Sequence, residues 1–450
     1  MNFASFEFWL LLIGALICYL PLRNLSQKGK WDREFLLSLS FVLFAFENFL
    51  SFAIFICIGC WVYLLLHLRE RVTVSLRKSI LFLGVGVALL PLFFYKYWSG
   101  TSTIPIGLSF YTFQLLSLVF DSVRKSSAIP RFRDYWCFAS FFPQIVAGPI
   151  ERRDSLLPQL QSFKFRWQPN EVLAGSRILV LGFFYKLAVA DNLASSCNWI
   201  TSATEHAWAI HLANFLFGFR IYFDFCGYSL MAYGLAKCIG VRLTMNFHAP
   251  YWQRSPQEFW RCWHVSLSRW FRDYIYVPLG GKNARSPALL ILLVFGVSGV
   301  WHGAGWNFVL WGLSHGFILI GCRLLGSRLR IPTVLAWGLT LLAMMTCWLS
   351  FYQTDSGVLG AKIVTLLQPQ SYLVNPYPEL LRLSGSQGNL ANVVAAGLIA
   401  IGVLLLEGIS KLRKKDPYCW SYHWVIQATL VICTVLLAPV ESNGFVYFDF

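Results

Sequence analysis

Three histidines occur within residues 259–316, where aromatic and apolar side chains predominate. His264 is in FWRCWHVSLSRWFRDYIYVPLGG, His302 is in SGVWHGAGWN between two apolar runs, and His315 is in LWGLSHGF within the second run. An ionisable side chain at membrane depth is costly, so each of these residues is a functional candidate. A neutral imidazole, with an unperturbed pKa of about 6.5, can take a proton from an alcohol and later return it. The histidines therefore predict general-base chemistry.

Acyl transfer to a hydroxyl fits this chemistry, because it needs a base together with hydrogen-bond donors for the oxyanion. Ser298, Asn307 and the glycine-flanked backbone around His302 could supply those donors. GLSHG (312–316) matches the letters G-x-S-x-G, but it lies within an apolar run and not at a strand-to-helix turn, so no nucleophile elbow is predicted, and no Cys–His pairing is evident. Direct attack by the acceptor hydroxyl is therefore simpler than an acyl-enzyme, although the sequence leaves the second route open.

The spacing of the histidines limits which of them can act together. Thirteen residues of unbroken helix would separate His302 from His315 by about 20 Å and place them on different faces. A turn at Gly303–Gly305 shortens the gap but still leaves His315 some turns away. We expect the two to line one cavity at different depths without forming a dyad. His264 is free of this limit and is predicted to be the second catalytic histidine.

Two other roles are open for these histidines. No H-x-x-x-H, H-E-x-x-H or carboxylate-rich helix face joins them, so no metal site is predicted. A structural histidine would only hydrogen-bond between helices, and this alternative is stronger for His315 than for His302.

Further residues are predicted to support the site. Those expected to line or support it are Trp301, Asn307, His315, Arg272, Asp273 and Asp224. Asp224 is four residues from Arg220, so an ion pair within one helix is expected, with a tunnel-lining role as the alternative. Asp273, beside Arg272, is expected to hold its segment together rather than react. The residues expected to bind an acyl donor are Arg254, Arg261, Trp263 and Lys282.

The composition identifies an all-α polytopic membrane protein. Of its 450 residues, 57% are hydrophobic and only 13% are charged, whereas about a quarter is usual in soluble proteins. Apolar runs of about 17 or more residues recur, each long enough for a helix to cross a bilayer. The net charge of +16 comes from basic clusters in short loops, which indicate topology and contact with membrane lipid. Nucleic acid is therefore not an expected partner.

The basic clusters predict how the chain is threaded. If residues 8–22 form a retained first span that runs inward, the clusters at 23–33, 69–78 and 124–133 all fall on the cytoplasmic side. About ten to eleven crossings follow, together with segments that do not cross. The non-crossing segments are a re-entrant one at 135–150, an interfacial one at 246–282 and a polar outer loop at 353–389. We expect one membrane domain over 1–450, with N-terminal helices (1–100), a motif-bearing catalytic core (100–325) and C-terminal helices (326–450).

At these motifs the chain resembles the membrane-bound O-acyltransferases, and more narrowly the bacterial branch that O-acetylates alginate and peptidoglycan. The resemblance is carried by IPIGLSFYTFQ (104–114), FFPQIVAGPI (141–150), IYFDFCGYSLMAYGLA (221–236), the His264 segment (259–281), VSGVWHGAGWNFVLWGLSHG (297–316) and FVYFDF (445–450). The blocks occur in the family's order and together are highly specific. In one departure, Cys262 stands where the branch commonly has a second basic residue, which could alter the cytoplasmic mouth of the site.

The resemblance implies a fold and a reaction. The fold is a ring of tilted helices around a thin centre with a central tunnel. His302, in the WHG motif, would be the catalytic base, and His264 the second polar residue of the active site. No bound cofactor is implied, and acetyl-CoA is the expected thioester co-substrate. The acceptor would be a cell-envelope polysaccharide or a periplasmic carrier outside the bacterial inner membrane, reached with periplasmic acetyltransferase partner proteins.

Two other functions remain open. The related D-alanyl transfer protein of teichoic acid modification uses an aminoacyl carrier protein, but LGG after the interfacial block and WGLSHG favour the acetylating branch. A transporter would move acyl groups or a polysaccharide without chemistry, and the Pro/Gly breaks at 105–107 and 148–149 would suit it.

Overall fold

The computed structural model contains helices and irregular connections, with no strand in the residues that it describes. It describes residues 3–25, 29–99, 104–124, 127–165, 167–203, 206–325, 331–373, 389–439 and 444–446. Parts of five predicted segments lie outside the described residues, namely 26–28, 125–126, 326–330, 374–388 and 447–450. The helical fold class predicted from composition is confirmed.

The chain divides into two compact units whose boundaries differ from those drawn on the sequence. The first unit comprises Met1–Leu179 and Tyr228–Met245. Its helices are α1 (Phe6–Leu25), α2 (Asp32–Glu47), α3 (Phe49–Arg71), α4 (Val74–Phe93), α5 (Leu108–Arg124), α6 (Phe132–Ser140), α7 (Arg153–Gln161) and the first part of α8 (Pro169–Phe183).

The second unit, Val180–Gly227 with Asn246–Phe448, contains the three candidate histidines. A π-helical stretch, Phe184–Ala190, continues α8. The helices that follow along the chain are α9 (Asp191–Ala203), α10 (Ala207–Cys238, which ends in the first unit), α11 (Pro256–Cys262), α12 (Val265–Phe271), α13 (Pro287–His302), α14 (Trp306–Leu325), α15 (Thr333–Tyr352), α16 (Ser356–Leu367), α17 (Asn389–Leu412) and α18 (Trp424–Leu437).

Seven stretches among the described residues are long and apolar enough to cross a membrane. They are Phe6–Asn24, Phe49–Arg71, Ser79–Trp98, Pro169–Cys197, Trp306–Leu325, Thr333–Tyr352 and Ala391–Leu412. The other predicted crossings correspond to helices that are shorter or less apolar, such as α13 with 16 residues and α18 with 14. The chain is therefore a multi-pass membrane protein.

The segment predicted to be re-entrant does not form a crossing helix. Its helix α6 has nine residues and is followed by irregular backbone at residues 141–150. Every residue from 134 to 151 is buried. Local turns satisfy part of this backbone, since the Gly148 N–H donates to the Gln144 carbonyl at 2.9 Å. Protein thus surrounds the irregular chain, which is the condition for such backbone at membrane depth.

The prediction of a polar loop over 353–389 was wrong for its first part, which folds as α16. The Asp355 side chain caps this helix by accepting from the Val358 N–H at 2.8 Å. Leu359 packs against Ile210 and Leu349 of the same unit. Apolar residues recur here at helical spacing among the polar ones, and burial of that face favours a helix over a loop.

Helices α13 and α14 form a hairpin that depends on glycine at its contact. A Cβ at Gly299 would clash with the Phe308 carbonyl, and one at Gly312 would clash with the Phe295 carbonyl. The two backbones therefore touch, as small residues allow in membrane helix pairs. Since His302 ends α13 and His315 lies in α14, this contact sets where both histidines stand.

We expect Gly312→Ala to destabilise the protein by about 1–3 kcal/mol, because the added methyl group overpacks a backbone contact. The measurement is the apparent melting temperature in detergent. Gly321→Ala is the control, since it adds the same methyl to the same helix where no atom lies within 4 Å. Equal melting temperatures for the two variants would contradict the close contact.

Candidate active site

His302 stands at the C-terminal end of α13, where its ring is enclosed by aromatic side chains. The helix ends at Gly303, whose N–H donates to the Gly299 carbonyl at 3.3 Å. The His302 ring centroid lies 4.8 Å from that of Trp311 and 5.3 Å from that of Phe351. A helix C-terminus carries partial negative charge, which favours the imidazolium formed when His302 accepts a proton.

His315 and His302 pack against the same tryptophan ring. The His315 ring centroid lies 5.0 Å from that of Trp311, on which His302 also packs. One indole ring therefore forms a wall shared by the two histidines, and the expectation that they line one cavity without forming a dyad stays a prediction. The shared wall arises from the chain reversal at residues 303–305 and the glycine contact, which bring Trp311 beside the end of α13.

A cage of indole rings surrounds His315. Its ring centroid lies 4.9 Å from that of Trp260 and 6.2 Å from that of Trp348. Among the described residues, no hydrogen-bond partner meets either ring nitrogen of His315 or the indole nitrogens of Trp260, Trp311 and Trp348. A buried polar group left unsatisfied costs about 1–3 kcal/mol. These donors can therefore bind an acceptor oxygen of a molecule that enters the cage.

His264 lies between α11 and α12 in a backbone conformation that non-glycine residues rarely adopt. Its φ is +41° and its side chain is 1% exposed. Asn246 fixes the following turn, because its carbonyl accepts from the Val265 N–H and its side chain accepts from the Ser266 N–H. Burial lowers the pKa of His264 to about 3, so its imidazole is neutral near pH 7. Strain of this kind concentrates at functional sites.

Aromatic contacts join the segment of His264 to that of His302. Trp263, next to His264, lies 4.9 Å from Trp348, and Trp348 stacks on Trp311 at 6.0 Å. Trp311 in turn packs against the ring of His302. Trp348 and its helix neighbour Phe351 were not predicted from the sequence, because an aromatic residue in an apolar span can equally face lipid.

Asn307, a predicted oxyanion donor, also holds two helices together. It is buried, and its Nδ2 donates to the Ser350 carbonyl at 3.0 Å. This hydrogen bond joins the start of α14 to the end of α15. Its Oδ1 is buried without a hydrogen-bond partner among the described residues. One amide hydrogen is thus already engaged, and Asn307 is primarily a positioning residue.

Asp224 pairs with a residue other than the predicted one. Its Oδ1 lies 2.7 Å from Nζ of Lys186, which also contacts Asp191 at 2.8 Å. No ion pair with Arg220 occurs among the described residues. The approach of Lys186 is possible because Gly227, one helical turn after Asp224, leaves room for the Lys186 backbone. The expected pair within one helix was therefore wrong, and the ion pair joins two helices.

The predicted donor-binding residues differ in burial. Arg254, Arg261 and Lys282 are exposed, whereas Trp263 belongs to the buried aromatic cluster. Arg272 and Asp273, both predicted supporting residues, form a largely exposed ion pair at 2.8 Å. This pairing suits the structural role expected for Asp273.

A buried carboxyl group was also missed. Glu407, in α17, is fully buried and accepts hydrogen bonds from the hydroxyls of Tyr185 at 2.5 Å and Tyr222 at 2.8 Å. A single acidic residue within an apolar span is the signal that could have found it.

Comparison with known proteins supports a single family. Residues 71–347 match the model of the membrane-bound O-acyltransferase family, MBOAT, and this region includes all three candidate histidines. The chain is 29% identical to the peptidoglycan O-acetyltransferase of Helicobacter pylori over 400 residues, which cover 77% of the chain and 75% of that protein. It is 36% identical to the probable alginate O-acetylase of Pseudomonas aeruginosa over 258 residues, covering 55% of the chain and 48% of that protein.

A third relative has a different named activity. The chain is 27% identical to the teichoic acid D-alanyltransferase of Bacillus subtilis over 347 residues, which cover 70% of the chain and 87% of that protein. The chain spans about half the length of its alginate relative and most of the length of the other two.

The buried neutral imidazole predicts an acid-sensitive component of stability. The pKa of His264 is about 3 in the folded protein and about 6.5 when unfolded, so the unfolded chain binds more protons between these values. This contribution is fully present above about pH 6.5 and is lost as the pH falls toward 3. Between pH 7.5 and pH 5 the loss is about 2 kcal/mol.

We therefore expect His264→Asn to reduce the fall in melting temperature between pH 7.5 and pH 5. Asparagine tolerates the left-handed backbone of this position. His67→Gln, at a histidine outside the cluster, is the control and should fall as the wild type does. An unchanged acid sensitivity in the His264→Asn variant would show that His264 is not buried and neutral.

Proposed function

The chain belongs to the membrane-bound O-acyltransferase family, and from this premise we propose that it transfers acetyl from a cytoplasmic thioester, acetyl-CoA, to hydroxyls of a cell-envelope polysaccharide. The proposal is carried by one observation, namely that His302 lies at a helix end inside a buried cluster of aromatic rings and hydrogen-bond donors. Relatives named as peptidoglycan and alginate O-acetylating proteins support acetyl as the group and a polysaccharide as the acceptor.

In the proposed reaction His302 acts as the general base. Its ring takes the proton of the acceptor hydroxyl while the hydroxyl oxygen attacks the thioester carbonyl carbon. The new C–O bond forms, the C–S bond breaks, and the proton passes from the imidazolium to the departing thiolate. The products are an ester and a free thiol, so no proton is gained or lost overall. General-base catalysis of this kind contributes about 10²–10⁴ in rate.

The neutral histidines and indoles have a complementary role in this proposal. A carbonyl oxygen only accepts hydrogen bonds, and it becomes more negative as the tetrahedral intermediate forms. The indole N–H groups around His315, which lack hydrogen-bond partners among the described residues, are the proposed donors to the acyl oxygen. His264 keeps one N–H because it is neutral, and it orients His302 or donates to the same oxygen. The predicted tunnel would carry the thioester arm to this point.

The proposed location is the bacterial inner membrane, with the acceptor on its outer side. In this proposal the donor side faces the cytoplasm, where thioesters are made, and the positive charge of the basic clusters supports that orientation. Periplasmic acetyltransferase proteins are the proposed partners, because a polymer outside the membrane must be brought to the site.

A second candidate is D-alanyl transfer to teichoic acid from a carrier protein. The relative from Bacillus subtilis favours it, since the match covers 87% of that protein. The same base chemistry would serve an aminoacyl thioester. The two proposals differ in the donor and in the modified polymer.

We expect His302→Ala to lower acyl transfer by at least about 100-fold at normal protein levels, because the general base is lost. The measurement is the O-acetyl content of envelope polysaccharide in a deletion strain complemented with wild type, with the His302→Ala variant or with a His67→Gln control. Full restoration by the His302→Ala variant would overturn the catalytic assignment. A deletion that changes D-alanine on teichoic acid, and not O-acetyl content, would select the second candidate.

Trp311→Phe tests the indole cage with little effect on folding. It keeps an aromatic ring against both histidines but removes an N–H that has no hydrogen-bond partner among the described residues. Loss of one oxyanion donor costs about 100-fold in turnover. We expect such a fall in turnover with an unchanged melting temperature, measured on purified protein. Normal turnover would show that the Trp311 indole only packs.

A further inference from the structure

A basic pocket belongs to the first unit, whereas the histidines belong to the second. Its volume is about 370 Å³, and the side chains that matter to its chemistry are those of Lys30, Arg33, Arg133, Gln161 and Lys164. Four of the five are cations and the fifth can donate hydrogen bonds through its amide. The lining is therefore suited to an anion.

The charges around the pocket are only partly neutralised. Arg33 pairs with Asp134, and Arg133 pairs with Glu34. Lys30 and Lys164 are exposed and form no ion pair among the described residues. Nε of Arg33 is buried, and no described residue provides it with a hydrogen-bond partner. An oxygen of an anionic ligand would satisfy this donor and offset the surplus positive charge.

A buried carboxylate, that of Asp32, links the chain segments that line the pocket through hydrogen bonds. Asp32 is fully buried and accepts hydrogen bonds from the Tyr19 hydroxyl at 2.7 Å, Arg23 Nε at 2.8 Å and the Phe165 N–H at 2.9 Å. Gly29, with φ +88°, lies so close to Asp32 that a Cβ at this position would clash with the carboxylate. These bonds tie the segment of Lys30 to that of Lys164, so the pocket exists before any ligand binds.

Residue types typical of the membrane interface flank the pocket. The candidate span Phe6–Asn24 ends beside Arg23, whose Nη2 donates to the Phe165 carbonyl at 2.9 Å. Trp31 and Trp167, which flank the pocket segments, are 51% and 44% exposed. Indole rings favour the membrane interface, and lysines beside a span attract anionic lipids.

We propose that this pocket binds the phosphate of an anionic phospholipid headgroup. Arg33, Lys30 and Lys164 contact the phosphate oxygens, and Trp31 and Trp167 lie among the glycerol and upper acyl groups. The site is independent of the acyl-transfer proposal, because it lies in the other unit and uses none of its residues.

The test measures lipid retained on the purified full-length protein by native mass spectrometry, with phosphatidylglycerol and phosphatidylcholine offered in equal amounts. We expect preferential retention of phosphatidylglycerol, and about a tenfold weaker apparent affinity for it in Lys30→Gln/Lys164→Gln. The matched control is Arg413→Gln/Lys415→Gln, which removes two exposed cations beyond another span and should behave as wild type. Equal retention of both lipids, or an equal loss in the control, would overturn the proposal.

A second arm separates lipid from soluble phosphate. Inorganic phosphate and coenzyme A are added to the protein loaded with phosphatidylglycerol. We expect neither to displace the lipid at millimolar concentration, and displacement by either would reassign the pocket to a soluble phosphate compound. Both lysines lack acidic partners among the described residues, so the variants should keep the wild-type melting temperature. If the double variant is unstable, Lys164→Gln alone repeats the comparison.

Discussion

The backbone contact between α13 and α14 is the constraint on which the candidate site depends. Gly299 and Gly312 allow the two helices to touch, and a side chain at either position would push them apart. Membrane helices gain little from hydrophobic association, so close van der Waals contact between small residues is a principal source of their stability. Because His302 ends one helix and Trp311 lies in the other, the same contact that stabilises the hairpin also assembles the site.

Aromatic rings perform two tasks around that hairpin. They exclude water from the histidines, which strengthens any hydrogen bond made there, and their indole N–H groups supply donors in an otherwise apolar setting. Trp311 illustrates both tasks, since its indole ring packs against both His302 and His315. A buried neutral imidazole in such a setting can exchange protons with a substrate but not with bulk solvent. In the proposed reaction these unsatisfied donors would be paired by the bound substrate.

A second network links the end of the described chain to His264. The Val446 N–H donates to Asp224 at 2.7 Å, and the neighbouring Phe445 packs on Phe225. Phe225 in turn packs edge to face on His264 with a centroid distance of 4.6 Å. The buried ion pair between Lys186 and Asp224 therefore positions a segment that supports the strained histidine. These contacts connect Asp224 to His264 through Val446, Phe445 and Phe225.

The sequence by itself determined the helical membrane class, the motif-bearing histidines and the region without a crossing helix at 135–150, because hydropathy and ionisable residues in apolar runs are local signals. It could not determine which side chains meet. The pairing of Asp224 with Lys186 and the shared wall at Trp311 arise from contacts between helices. Helical periodicity states which face a residue occupies but not which helix that face meets. Only the tertiary structure decided these partners. Neighbouring helices approach closely at glycine positions, where no side chain keeps their backbones apart.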